Sequence, residues 1–159
     1  MTTESNESTE LFISRLIKAP PATVWKTWST PEHLAKWWIP SPIECRVDKL
    51  DLRPGGGFVT RMREGDGEFQ PHVDACFLEA VTGERLVFTT VLTEGWQPVE
   101  PWLALTAIIT FTAEDGGTRY SSRVLHRSAE ESRKHLDMGF YEGWGTAIGQ
   151  LAVLVEGQG

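Results

Sequence analysis

The sequence is poor in features that would tie it to several common functions. It holds two cysteines, Cys45 and Cys76. They form no metal or redox motif, so a disulfide framework is not expected, and a reduced cytoplasmic setting with two buried thiols is. A positive balance is missing as well: 15 lysines and arginines against 22 acidic residues leave a net charge of −7. Nonspecific binding to nucleic acid or to an anionic membrane needs the opposite sign on at least one face. No apolar run approaches the roughly 20 residues that span a bilayer. The opening MTTESNESTE has neither a basic nor an apolar region. It reads as a disordered polar tail over residues 1–10, not as a secretory signal. The histidines His33, His72, His126 and His135 show no ligand spacing, so no metal or cofactor is expected. Repeats and linkers are absent, which leaves a single domain over residues 11–157.

What the chain does have is glycine in an unusual cluster and an excess of tryptophan. Three consecutive glycines stand in LDLRPGGGF, Leu50 to Phe58. A phosphate-binding loop needs a helix directly after it, and the nucleotide-binding version also needs Gly-Lys-Ser/Thr. Here no lysine follows and the next residues alternate with strand period, so a sharp reversal with positive φ at one or more glycines is the expectation. The seven tryptophans need burial or a binding role.

The hydrophobic period changes twice along the chain. LFISRLIKA (Leu11 to Ala19) reads as a strand. After Pro20 and Pro21, Val24, Trp25 and Trp28 recur at helical spacing. Thr30 and Pro31 mark a restart, with Thr30 as cap, and Leu34, Trp37 and Trp38 form the apolar face of a second short helix. From Ile43 the period is two. Phe58, Thr60 and Met62 share one face; so do Phe69, Val73, Ala75 and Phe77, with Gln70, His72 and Asp74 opposite. Turn signals at EGDGE, TGE and EDGG space the strands of an antiparallel meander. Beyond Ser128, a cap followed by Glu130 and Glu131, residues Leu136, Phe140, Trp144, Ile148, Leu151 and Val155 form one stripe on one long helix, with Gln150 on its outer face. The order is strand, two short helices, six strands, long helix. This is an α+β arrangement in which a twisted antiparallel sheet of about seven strands wraps around a long C-terminal helix.

Several words carry a family resemblance: PATVWKTWSTPEHLAKWW, LDLRPGGGF, GERLVFTTV, GGTRYSSRVLH and MGFYEGWGTAIGQLAVLVE. In this order they resemble the activator of heat-shock-protein-90 ATPase homologue-like family of the START-like (birch-pollen-allergen-like, SRPBCC) superfamily. The resemblance spans about Leu11 to Glu156. It implies a helix-grip fold with an internal cavity between the sheet and the C-terminal helix, and no shared catalytic residues.

The candidate site residues follow from that arrangement. Of the adjacent Trp37 and Trp38, one is expected to pack and the other to line or cap an opening. Phe58, Met62, Phe69, Val73 and Phe88 can line the sheet side. Tyr120 and Ser122 put polar groups on an otherwise apolar strand face. Met138, Tyr141 and Trp144 supply the wall on the first half of the last helix, where methionine adapts to varied shapes and a tyrosine hydroxyl can orient a ligand. The leading expectation is a carrier for a small apolar or aromatic molecule, with no catalytic residues, no nucleic acid and no membrane partner. Two alternatives stay open: a module that acts on a chaperone ATPase, and a cyclase, aromatase or hydrolase using Tyr141, His126 or an ordered water. A homodimer is also left open.

Overall fold

Alternating β-branched and aromatic residues separated by turn signals fold here into one large sheet. The computed structural model describes residues 8–157. In chain order the elements are β1 (Glu10–Ile17), α1 (Pro21–Ser29), α2 (Pro31–Leu34), β2 (Glu44–Leu50), β3 (Gly57–Arg63), β4 (Gln70–Val81), β5 (Arg85–Thr89), β6 (Leu92–Thr93), β7 (Gln97–Pro98), β8 (Thr106–Glu114), β9 (Gly117–Leu125), α3 (Ala129–Asp137) and α4 (Phe140–Glu156). Seven strands form an antiparallel sheet in the order β1-β9-β8-β5-β4-β3-β2, and β6 pairs with β7 in a small separate hairpin. One face of the large sheet packs against α1 and α4, which is the helix-grip arrangement. Most of the expected tail, residues 1–7, lies outside the described residues, and Glu10 already opens β1.

The glycines make a reversal. Gly55 has φ +85, and its N–H donates to the Phe77 carbonyl at 2.8 Å while Phe77 N–H donates to Gly56 O at 2.8 Å. A Cβ on Gly56 would stand 2.1 Å from the Asp51 carbonyl oxygen. Position 55 therefore needs glycine for its dihedral angle and position 56 for its closeness to backbone. At the β8–β9 turn Asp115 and Gly116 have φ +50 and +79, the two left-handed residues that a tight hairpin matched to sheet twist demands.

Three sequence expectations change. The last helix is two helices: Gly139 has φ +96, so α3 stops and α4 starts at a new angle. The stripe is broken there, because Leu136 is exposed while Phe140, Ile148, Leu151 and Val155 are buried. The buried residues of α3 are polar, Ser132 and His135. Second, a bulge separates the register Thr60↔Val73 from Arg61↔Pro71 and leaves His72 as the extra residue of β4. A bulge inverts the alternation beyond it, so Phe69 does not share a face with Val73. Third, Thr30 makes no cap bond to α2; its hydroxyl donates to Lys26 O at 2.7 Å and closes α1. Ser128 does cap α3, accepting from Glu131 N–H at 3.1 Å.

Candidate functional site: an aromatic face between sheet and helix

The inner face of the sheet is paved with rings. Phe58 on β3 stacks on Phe77 of β4, with centroids 5.3 Å apart, and meets Phe88 of β5 edge-on at 5.1 Å. From α1, Trp28 lies 5.5 Å from Phe58. Trp38, in the segment after α2, lies 5.4 Å from both Trp28 and Phe58 and 6.3 Å from Trp144 of α4. Phe140 and Trp144 sit together at 5.2 Å on the first turns of α4. Such offset and edge-on pairs are favourable beyond the area they bury. Trp28, Trp37, Phe58, Phe77, Phe88, Tyr120 and Phe140 are all buried. Trp38 and Trp144 are half-buried, so the cluster reaches solvent at these two members.

Two indoles of the cluster are satisfied internally. Trp28 Nε1–H donates to Tyr120 Oη at 3.0 Å, and Trp37 Nε1–H donates to Thr27 O at 3.3 Å. Trp38 Nε1 is buried with no acceptor, and Ser122 Oγ is buried without a hydrogen bond of ordinary geometry. Burial pushes the Tyr120 phenol well above its usual range. Beside the rings, Cys45, Val47, Met62 and Val73 continue the same sheet face as a half-buried apolar end. There the His72 Nδ1 lies 2.9 Å from the buried Thr60 hydroxyl. Burial pushes the Cys45 thiol up to about 11, so it carries no thiolate nucleophile near neutrality.

The sequence candidates divide clearly. Trp37, Trp38, Phe58, Phe88, Tyr120, Ser122 and Trp144 come together in or beside the cluster, and Met62 and Val73 lie on its half-buried flank. Phe69 does not join them. The bulge turns it to the outer face, where the guanidinium groups of Arg46 and Arg63 lie 4.8 and 4.4 Å from its ring centroid. Met138 and Tyr141, on either side of the break at Gly139 and the inward Phe140, are 48% and 46% exposed. Tyr141 is thus not placed to act as an acid or base inside, and His126 is engaged with Thr9 and His135. Among the described residues no group of three or more His, Cys, Asp or Glu could hold a metal.

Sequence reasoning missed the residue that holds the Trp37–Trp38 segment in place. Gln150, expected on the outer face of α4, donates from Nε2 to Trp37 O and Ile39 O, both at 3.0 Å, and its Oε1 accepts from Ser41 N–H at 2.7 Å. No periodicity could reveal this, since a glutamine beside the apolar stripe looks like an ordinary boundary residue. Two surface depressions lie elsewhere. One, of ≈ 280 Å³, is lined by Ala22, Thr23, Lys26, Thr27 and His33; the other, of ≈ 370 Å³, by Ile13, Ser14, Arg15, Gly145 and Ile148. Neither is lined by Trp, Phe or Tyr.

Comparison with known proteins agrees with the architecture. Residues 18–156 match the family described as Activator of Hsp90 ATPase homolog 1-like protein. A crystal structure of a Nitrosomonas europaea protein is 37% identical with TM-score 0.84, covering 94% of this chain and 96% of that one. A Mycobacterium smegmatis protein is 29% identical with TM-score 0.77, covering 96% and 94%. A Chromobacterium violaceum protein is 26% identical with TM-score 0.73, covering 92% and 97%. Among curated proteins none matches. No helix among the described residues is long and apolar enough to cross a membrane. With the helix-grip fold and a family match over nearly its whole described length, the chain belongs to the Activator of Hsp90 ATPase homolog 1-like family of the START-like superfamily.

Proposed function

We propose that this domain holds a small apolar or aromatic molecule on the ring-paved face, entering between Trp38 and Trp144. The observation that carries the reading is the exposure pattern of the cluster: its inner members are buried, while Trp38 and Trp144, which meet edge-on, are half-buried. They come from different elements, the segment after α2 and the first turns of α4, so a small parting of those elements opens a path to Phe58 and Phe88. The flank of Val47, Met62 and Val73 extends the apolar wall beyond the rings. Burial of ligand surface against this wall supplies affinity, and a few polar atoms set orientation.

The test is a titration with naphthalene, followed through quenching of tryptophan emission. Saturable quenching is expected. Val73→Trp, which adds bulk on the half-buried flank, is expected to weaken it at least about tenfold while leaving the denaturation midpoint near that of the parent. Absence of saturable quenching in the parent contradicts the proposal, as does equal affinity in a folded Val73→Trp variant.

A further inference from the structure

The three indoles around the centre of the cluster differ in one respect. Trp28 and Trp37 each give their N–H to an oxygen of the protein. Trp38 does not: its Nε1 is buried among Trp28, Trp37, Phe58, Phe88 and Trp144 with no acceptor. An indole nitrogen can only donate, so its partner must be an acceptor. A buried donor left without one costs the full desolvation of that group. The Trp38 ring itself is half-buried beside Trp144, so a ligand that parts these two indoles comes against the ring that carries the unpaired donor.

The surroundings limit the kind of acceptor. The buried polar residues among those described are Thr27, Thr60, Thr89, Thr118, Ser122, His126, Ser132 and His135. None is a lysine or arginine, so a carboxylate or phosphate buried against the rings would meet no fixed cation. Ser122 Oγ adds a second polar atom on the same sheet face as Tyr120, and it too is neutral. An uncharged oxygen on a planar apolar body fits both constraints.

We infer that the ligand is a neutral aromatic molecule carrying a carbonyl or similar acceptor oxygen, which takes the N–H of Trp38 while edge-on rings hold its body. This rests on the reading of the face as a binding site and narrows it to a ligand class.

Calorimetric titration with three probes of similar size tests it: acetophenone, ethylbenzene and benzoate. Ethylbenzene is the more hydrophobic of the neutral pair, so a purely apolar face binds it more tightly. With Trp38 as donor the order reverses, and acetophenone is expected to bind about threefold to tenfold more tightly. Benzoate is expected to bind more weakly than acetophenone. In Trp38→Phe the preference for acetophenone over ethylbenzene should disappear. Equal or reversed affinities in the parent overturn the inference and leave the binding face standing, and so does a Trp38→Phe variant that keeps the preference. Benzoate binding as tightly as acetophenone overturns the neutral assignment. If none of the probes binds, the binding face falls and this inference with it. Should Trp38→Phe fail to fold, the order of the probes on the parent protein decides.

Discussion

His126 Nε2 lies 3.0 Å from His135 Nδ1, joining the end of β9 to α3. Both rings are buried. The proton pattern follows from the outer partner. Thr9 O, 3.0 Å from His126 Nδ1, can only accept, so His126 donates from Nδ1, and in the singly protonated ring Nε2 is left to accept from His135 Nδ1–H. The His135 ring stands edge-on to Phe140 at 5.1 Å, which ties the pair to the aromatic face.

Burial, with a smaller contribution from His126, pushes His135 down to about 4. An unfolded histidine titrates near 6.5. Below that value the unfolded chain takes up a proton that the folded chain refuses. The stabilisation is therefore complete above about pH 6.5 and is lost progressively down to about pH 4, with a slope for this group approaching about 1.4 kcal/mol per pH unit. Urea midpoints at pH 7.5 and pH 5 should differ, and the difference should shrink in His135→Gln. An unchanged difference in that variant would place the acid sensitivity elsewhere.

Gln150→Ala should destabilise the fold by about 1–3 kcal/mol, because it removes three hydrogen bonds and leaves two backbone carbonyls without their donor. Gln150→Glu should also destabilise, since a carboxylate cannot donate to Trp37 O and Ile39 O. Chemical denaturation of the two variants checks this; parent-like midpoints for both would show that water replaces the amide at little cost.

The glycine reversal carries a separate prediction. The Trp96 indole lies where a Cβ on Gly55 would stand, 2.8 Å from its Nε1. Gly55→Val meets both that indole and an unfavourable φ, and should cost about 1 kcal/mol or more. Gly56→Ala should cost at least as much, because its obstacle is the Asp51 backbone. ATP should not raise the melting temperature, and a clear rise on adding nucleotide would reverse the reading of this turn.

Leu151→Ala truncates a fully buried side chain of α4 and should cost about 2–5 kcal/mol. Thermal unfolding measures it, and a shift within error of the parent would mean that α4 packs in a different phase.

Much of this was legible before the structure. The change of period at Ile43 and again after Ser128 separates sheet from helices, and the lack of a helix after the three glycines identifies a turn. The words along the chain point to the family. What escaped was decided by single residues that interrupt a period. One glycine in a left-handed conformation splits the last helix, takes Leu136 out of the buried stripe and leaves Met138 and Tyr141 exposed. One extra residue in β4 sends Phe69 outward, between two arginines. Alternation and helical spacing carry no record of a bulge or a break, because both preserve the pattern on each side and shift only its phase. Gln150 escaped for another reason: its partners are backbone carbonyls far away in sequence. Trp96 could be placed only once the β6–β7 hairpin was seen to fold back over Gly55, where Gly95 N–H reaches Gly55 O at 2.9 Å.

The proposed entry between Trp38 and Trp144 is tested most directly by the indole N–H signals of the seven tryptophans in a nitrogen-proton correlation spectrum, assigned through single Trp→Phe variants. On titration with acetophenone, the signals of Trp38 and Trp144 should move in a saturable way, with that of Trp38 shifting downfield as it gains an acceptor. Those of Trp96 and Trp102, exposed on the loop between β5 and β8, should stay in place. Movement confined to Trp96 and Trp102, or no saturable movement at any indole, would contradict the account.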